Sequence, residues 1–126
     1  MTDASAERPP VWTGHLVLHS ADPVATAAFY RGLGFRPVAS LDAFAVLELR
    51  GGTHLVVRRD PGASGGPAAF DLMVEDLDAT REAWAAAGAT VSEVARDERG
   101  IHRTFTLTDP DGYTIVVNDS HVVGPV

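Results

Sequence analysis

GGTHLVV at residues 51–57 and DGYTIVV at residues 111–117 coincide position by position at a shift of 60 residues. Both strings leave a glycine turn and run into a β-branched apolar stretch, the pattern of a strand that closes a hairpin. Working outward, the segments upstream of them coincide at a shift of 54, which lays Asp22 on Asp76, Ala25-Thr26 on Ala79-Thr80, Tyr30 on Trp84 and Gly34 on Gly88. A chain that repeats a helix cap, an aromatic on that helix, a closing glycine and a final hairpin holds one supersecondary unit twice.

Each unit reads as βαβββ. In the first, Leu16, Leu18 and Ser20 alternate with His15, Val17 and His19, the mark of a strand with two unlike faces. Asp22-Pro23 then supplies an N-cap and a first-turn proline for a helix that stops near Gly32 to Gly34. Strands are expected over 36–39, 43–49 and 53–58, the last two joined at Gly51-Gly52. PGASGGP (61–67) reads as a linker. The order then returns: a strand over 70–74, a helix from Asp76 to Ala87 closed by Gly88, and strands over 90–94, 102–108 and 113–118. The expected organisation is a lead-in (1–12), one domain (13–118: module one 13–60, linker 61–67, module two 68–118) and a tail (119–126). The expected fold class is α+β, with the two tandem modules forming a cup-shaped, mostly antiparallel sheet and the helices outside.

At 126 residues the chain has room for one domain. Ten basic against seventeen acidic side chains give a formal charge of −7, which argues against nucleic acid as a partner. Cysteine is absent, so disulfides, thiolate metal sites and cysteine nucleophiles are excluded. No apolar run approaches the roughly 18 residues of a membrane span, and the polar start is unlike a signal peptide. The expectation is a cytoplasmic protein with no membrane partner.

A duplicated βαβββ unit of this size resembles the vicinal-oxygen-chelate superfamily, which includes glyoxalase I, extradiol dioxygenases and bleomycin-resistance binding proteins. The resemblance is carried by His15 through Asp22, Phe29-Tyr30 with Leu33-Gly34-Phe35, Val74-Glu75-Asp76-Leu77, Ala87-Gly88-Ala89 and Asp109-Pro110-Asp111-Gly112. It identifies a fold whose chemistries differ, so function has to be argued from the site. In the metal-dependent relatives four strand positions hold the ion, and the resemblance maps these onto His15, Val56, Ala69 and Val116. One imidazole beside three apolar side chains is a poor divalent-ion site. Glu48 offers no substitute by position, because it lies before the Gly-Gly turn and aligns with Thr108. No metal and no other cofactor is expected.

Alternation then assigns the face turned away from the helices. The first strand of each module contributes His15, Val17 and His19, and Asp71 and Met73. The third strand of module one contributes Phe44, Val46 and Glu48, and the fourth His54, Val56 and Arg58. Module two adds His102, Thr104 and Thr106, then Thr114, Val116 and Asn118. An apolar floor with scattered imidazoles, hydroxyls and carboxylates is the usual make-up of a small-molecule pocket. Glu48 and Asp71 each need a partner there: His19, His54, an arginine or a ligand. Trp84, at the position of Tyr30, reads as core, and Phe44 as the residue to stack on an aromatic ligand. The stretch 96–100 reads as a flexible loop beside His102, and His121 as a solvated tail residue.

Two functions follow. The first is a metal-independent binding protein of the bleomycin-resistance type, a homodimer sequestering an antibiotic or other aromatic natural product. The acidic balance favours a cationic or neutral ligand. The alternative is a metal-free isomerase, cyclase or lyase that uses His15 or His54 with Glu48 or Asp71 as acid and base.

Overall fold

The computed structural model describes residues 7–122 and 125–126, so residues 1–6 of the expected lead-in and 123–124 of the expected tail lie outside the described residues. Module one consists of β1 (His15–Ser20), α1 (Pro23–Gly32), β2 (Arg36–Ser40), β3 (Phe44–Glu48) and β4 (His54–Arg59). Its four strands lie in the order β1-β4-β3-β2, with β1 parallel to β4 and the other pairs antiparallel. Module two contains β5 (Gly66–Pro67), β6 (Leu72–Val74), α2 (Leu77–Ala86), β7 (Thr90–Val91), β8 (Ala95–Arg96), β9 (Arg103–Thr108) and β10 (Tyr113–Asp119). Here β5 and β6 run parallel to β10, β10 pairs antiparallel with β9, and β7 and β8 share the far edge of β9. The protein is α+β, with two mixed sheets that do not close on one another.

The repeated caps work alike. The Asp22 carboxylate accepts the Ala25 N–H at 3.2 Å and the Asp76 carboxylate the Ala79 N–H at 3.0 Å, each satisfying a free donor of its helix. Strand alternation is also as read: Leu18, Ala45, Leu47, Leu55 and Val57 are buried on one side of the first sheet, and Phe105, Leu107, Ile115 and Val117 on one side of the second. These join Tyr30 and Trp84 in one continuous core, as expected for Trp84.

Three local expectations need correction. The first strand of module two does not run unbroken over 70–74. Pro67 pairs with Thr114 and Leu72 with Val117, so residues 68–71 carry two more residues than their partner strand and bulge out. Gly66 and Pro67, expected in the linker, are thereby part of the sheet. The strand expected over 90–94 stops at Val91 because the Ser92 hydroxyl accepts the Thr106 N–H at 2.8 Å, taking the place of a ladder bond. The loop expected over 96–100 begins at Asp97, Arg96 lying in β8, and within this turn to β9 the Asp97 carboxylate accepts the N–H groups of Ile101 and His102 at 2.9 and 3.3 Å.

The modules are bolted together at one seam. Tyr30 Oη donates to Asp109 Oδ2 at 2.7 Å, and Asp109 Oδ1 accepts the N–H groups of Asp111 and Tyr113, both at 2.9 Å. Beside it Asp111 accepts the Thr26 hydroxyl at 2.7 Å and the Ala21 N–H at 3.0 Å. Gly65 lies so close that a Cβ there would meet the Asp111 carbonyl oxygen at 2.6 Å, and its φ of +70° is one that favours glycine. The internal repeat creates a second, equivalent seam between α2 and the 3₁₀ turn at Arg50–Gly52. There Leu49 stands at the position of Asp109 and Gly51 at that of Asp111, so the carboxylate bolts are missing. What remains is a cleft of about 840 Å³ lined by Leu49, Arg50, Thr80, Ala83 and Trp84 among others, with an Arg50–Glu75 ion pair of 2.9 Å at its mouth. Trp84 Nε1 donates to the Leu33 carbonyl at 3.0 Å and limits how far this seam opens.

Candidate ligand-binding faces

Cross-strand register turns the outer face of the first sheet into three rows, because residues directly opposite share a face. The first row is His15, His54, Glu48 and Arg36, reading across β1, β4, β3 and β2. The second is Val17, Val56 and Val46, and the third His19, Arg58 and Phe44. Successive rows lie about 6.5–7 Å apart, the rise of two residues along a strand. Val17 is 42% and Phe44 38% exposed, so this apolar surface is open to solvent.

Glu48 finds partners on both sides. One oxygen meets His54 Nε2 at 3.2 Å and the other pairs with the Arg36 guanidinium. The His15 ring stands edge-on to His54, with centroids 5.9 Å apart. The carboxylate thus finds its partners inside the row, on the two strands that flank its own. Arg36 was not singled out from the sequence; its place opposite Glu48 depends on the β2–β3 register.

The second sheet carries the remaining candidates. Met73 and Val116 are 42% and 40% exposed on its outer face, with Thr104 and Thr106 half-buried beside them. Asp71 accepts a hydrogen bond at 2.9 Å from the amide of Asn118, which is itself buried, so its partner is neutral and none of those considered from sequence. His102 Nδ1 is buried without a hydrogen-bond partner and lies 3.6 Å from Asp119 Oδ1. The His121 ring is exposed, as expected of a solvated tail residue, and stands against His102 with centroids 4.6 Å apart.

Within one chain the two faces are not brought together. The helix-covered sides of both sheets share the core, and among the described residues no hydrogen bond, ion pair or ring contact links a candidate side chain of one sheet to one of the other. Glu48 and Met73 meet at a common cavity wall, in the open seam, while Asp71 and Met73 line a smaller hollow of about 350 Å³ beside it.

The positions that the family resemblance gives to metal ligands fit a metal poorly. Val56 and Val116 carry no donor, Ala69 falls in the bulge between β5 and β6, and only His15 remains. Among the described residues no three His, Asp or Glu side chains form a group that could hold an ion. No helix among them is long and apolar enough to cross a membrane.

Two βαβββ modules carrying ligand-sized open sheet faces define a protein of the glyoxalase and bleomycin-resistance fold. The chain belongs to the glyoxalase-like domain family, whose model matches residues 15–118, and so to the vicinal-oxygen-chelate superfamily. Among solved structures it is similar to a lactoylglutathione lyase from Agrobacterium tumefaciens, at 20% identity, TM-score 0.72, and coverage of 90% of this chain and 96% of that one. It is equally similar to a bleomycin-binding protein from Streptomyces verticillus complexed with copper(II)-bleomycin, at 23% identity, TM-score 0.72, and coverage of 90% and 100%. A bleomycin resistance determinant encoded on transposon Tn5 matches at 23% identity and TM-score 0.69, with coverage of 89% and 100%. At such identities the likeness is one of fold. No curated protein sequence matches the chain.

Proposed function

We propose that this protein is a metal-independent small-molecule binder that sequesters an antibiotic or similar natural product, and that it works as a homodimer. The observation that carries the reading is the open outer face of the first sheet, an apolar row bordered by polar rows with no metal-ligand set. A bleomycin-binding protein and a bleomycin resistance determinant of the same fold support it. The dimer follows from the exposure of both outer faces: a second copy that lays its second sheet over the first sheet of its partner encloses a cavity that one chain leaves open.

The test is native mass spectrometry of the purified protein for a co-purifying small molecule, with titration calorimetry against bleomycin as the first known compound. Recovery of unaltered ligand from a tight complex after long incubation supports sequestration. The Glu48–His54 contact favours one second reading, a metal-free enzyme in which His54 moves a proton and Glu48 orients it. Conversion of the ligand that is lost in His54→Ala would replace sequestration by catalysis.

A further inference from the structure

The charged groups on the outer face of the first sheet do not follow the chain as a whole. The chain is acidic by seven charges with histidine counted neutral, yet on the same count the strand residues of this face carry two cations, Arg36 and Arg58, against one carboxylate, Glu48, with the imidazoles of His15, His19 and His54 beside them. Glu48 is already paired with Arg36 and in contact with His54 Nε2. Arg58 has no such partner: among the described residues it makes no ion pair. The acidic residue that follows β4, Asp60, turns one oxygen to the Gly62 N–H at 2.9 Å. Arg58 stands between His19 on one neighbouring strand and Phe44 on the other, one row from the valines.

We infer that this face takes an organic anion: a flat apolar body carrying a carboxylate or a similar single negative group. The anionic group sits at Arg58 with His19 beside it, where a guanidinium forms the paired hydrogen bonds that suit a planar carboxylate. The body lies on Val17, Val56 and Val46 against the Phe44 ring, and its far end reaches His54 and His15, about 6.5–7 Å per row away. The local field of the face, rather than the net charge, sets the sign of the ligand, because charges beyond a Debye length of about 8–10 Å are screened by salt. This reverses the cationic preference drawn from composition. It rests on the proposal that the face is the ligand site, and the experiment separates the two.

The full-length protein is titrated by calorimetry at about pH 8, where a carboxylate and an alkylammonium probe each carry their charge, with three probes of one shape: 2-naphthoate, 2-naphthol and 2-naphthylmethylammonium. The expected order is naphthoate tightest, by about tenfold or more over the ammonium compound, the scale of one charge-assisted contact. Arg58→Gln, at an exposed position, removes that preference by weakening naphthoate far more than 2-naphthol, and Arg58→Lys restores part of it. Phe44→Ala weakens all three probes alike. Equal or tighter binding of the ammonium probe, or an Arg58→Gln protein that still prefers naphthoate, overturns the anion inference and leaves the binding face standing. An Arg58→Gln protein that dissociates into monomers with its selectivity intact also overturns it, by giving Arg58 to a subunit contact. If no naphthyl probe binds whatever its charge, or if Phe44→Ala affects none of them, the face itself is not the site and both readings fall.

Discussion

Replacing Tyr30 by Phe removes one oxygen atom and tests the bolt that fixes the two modules. Tyr30 is 0% and Asp109 5% exposed, so neither oxygen can exchange its partner for water without opening the seam. Their hydrogen bond of 2.7 Å has a charged acceptor, for which removal costs about 1.5–3 kcal/mol. The two remaining bonds to Asp109 Oδ1 hold the carboxylate in place, so it stays buried with one oxygen unpaired. For a chain of this length each kcal/mol lowers the melting temperature by about 4 °C, which gives a fall of roughly 6–12 °C. The assay is urea and thermal unfolding followed by the fluorescence of buried Trp84, at fixed protomer concentration so that assembly does not shift the midpoint. A double-mutant cycle with Asp109→Ala isolates the pair and should give a coupling of at least about 1 kcal/mol. A melting temperature within about 2 °C of wild type, or no coupling, would refute the claim that this contact locks the seam.

The same residue predicts an alkaline limit. Burial first, and the Asp109 charge second, push the Tyr30 phenol far above its ordinary value, so the folded chain keeps a proton that the unfolded chain releases near pH 10. The stabilisation is fully present below that pH and declines above it by about 1.4 kcal/mol per pH unit, a slope that Tyr30→Phe should lack in urea titrations between about pH 9 and 11. Gly65→Ala should lower stability by more than about 2 kcal/mol, since both the positive φ and the Asp111 carbonyl oppose a Cβ; unchanged urea midpoints would contradict it. Elemental analysis after dialysis against Mn, Fe, Ni and Zn should find no stoichiometric ion, and one tightly held ion per chain would return His15, Glu48 and Asp71 to consideration as ligands. Sedimentation equilibrium at tens of micromolar should give a dimer; a monomer throughout would remove the closed cavity from the proposal.

Much of the module was legible before any coordinates. Asp22 and Asp76 cap their helices, Gly34 and Gly88 close them in positive φ, and strand alternation placed Leu18 and Leu47 inward and Val17 and Phe44 outward. These are properties of a few neighbouring residues, with periods set by backbone geometry, and a repeat at a fixed shift doubles the signal. The bulge before β6 was not legible, because a two-residue excess is visible only against the register of β10. Nor was the pairing of Glu48 with Arg36, which needs the β2–β3 alignment, or that of Asp71 with Asn118 across 47 residues of sequence. The largest decision, how the modules meet, belongs to tertiary structure alone. Tyr30 to Asp109 and Thr26 to Asp111 join residues 79 and 85 apart and lock one seam, while Leu49 and Gly51 at the equivalent places leave the other as a cleft. The sequence repeat is symmetric enough to declare two modules, but which faces they bury depends on a few buried side-chain bonds whose partners become neighbours only when the chain is folded.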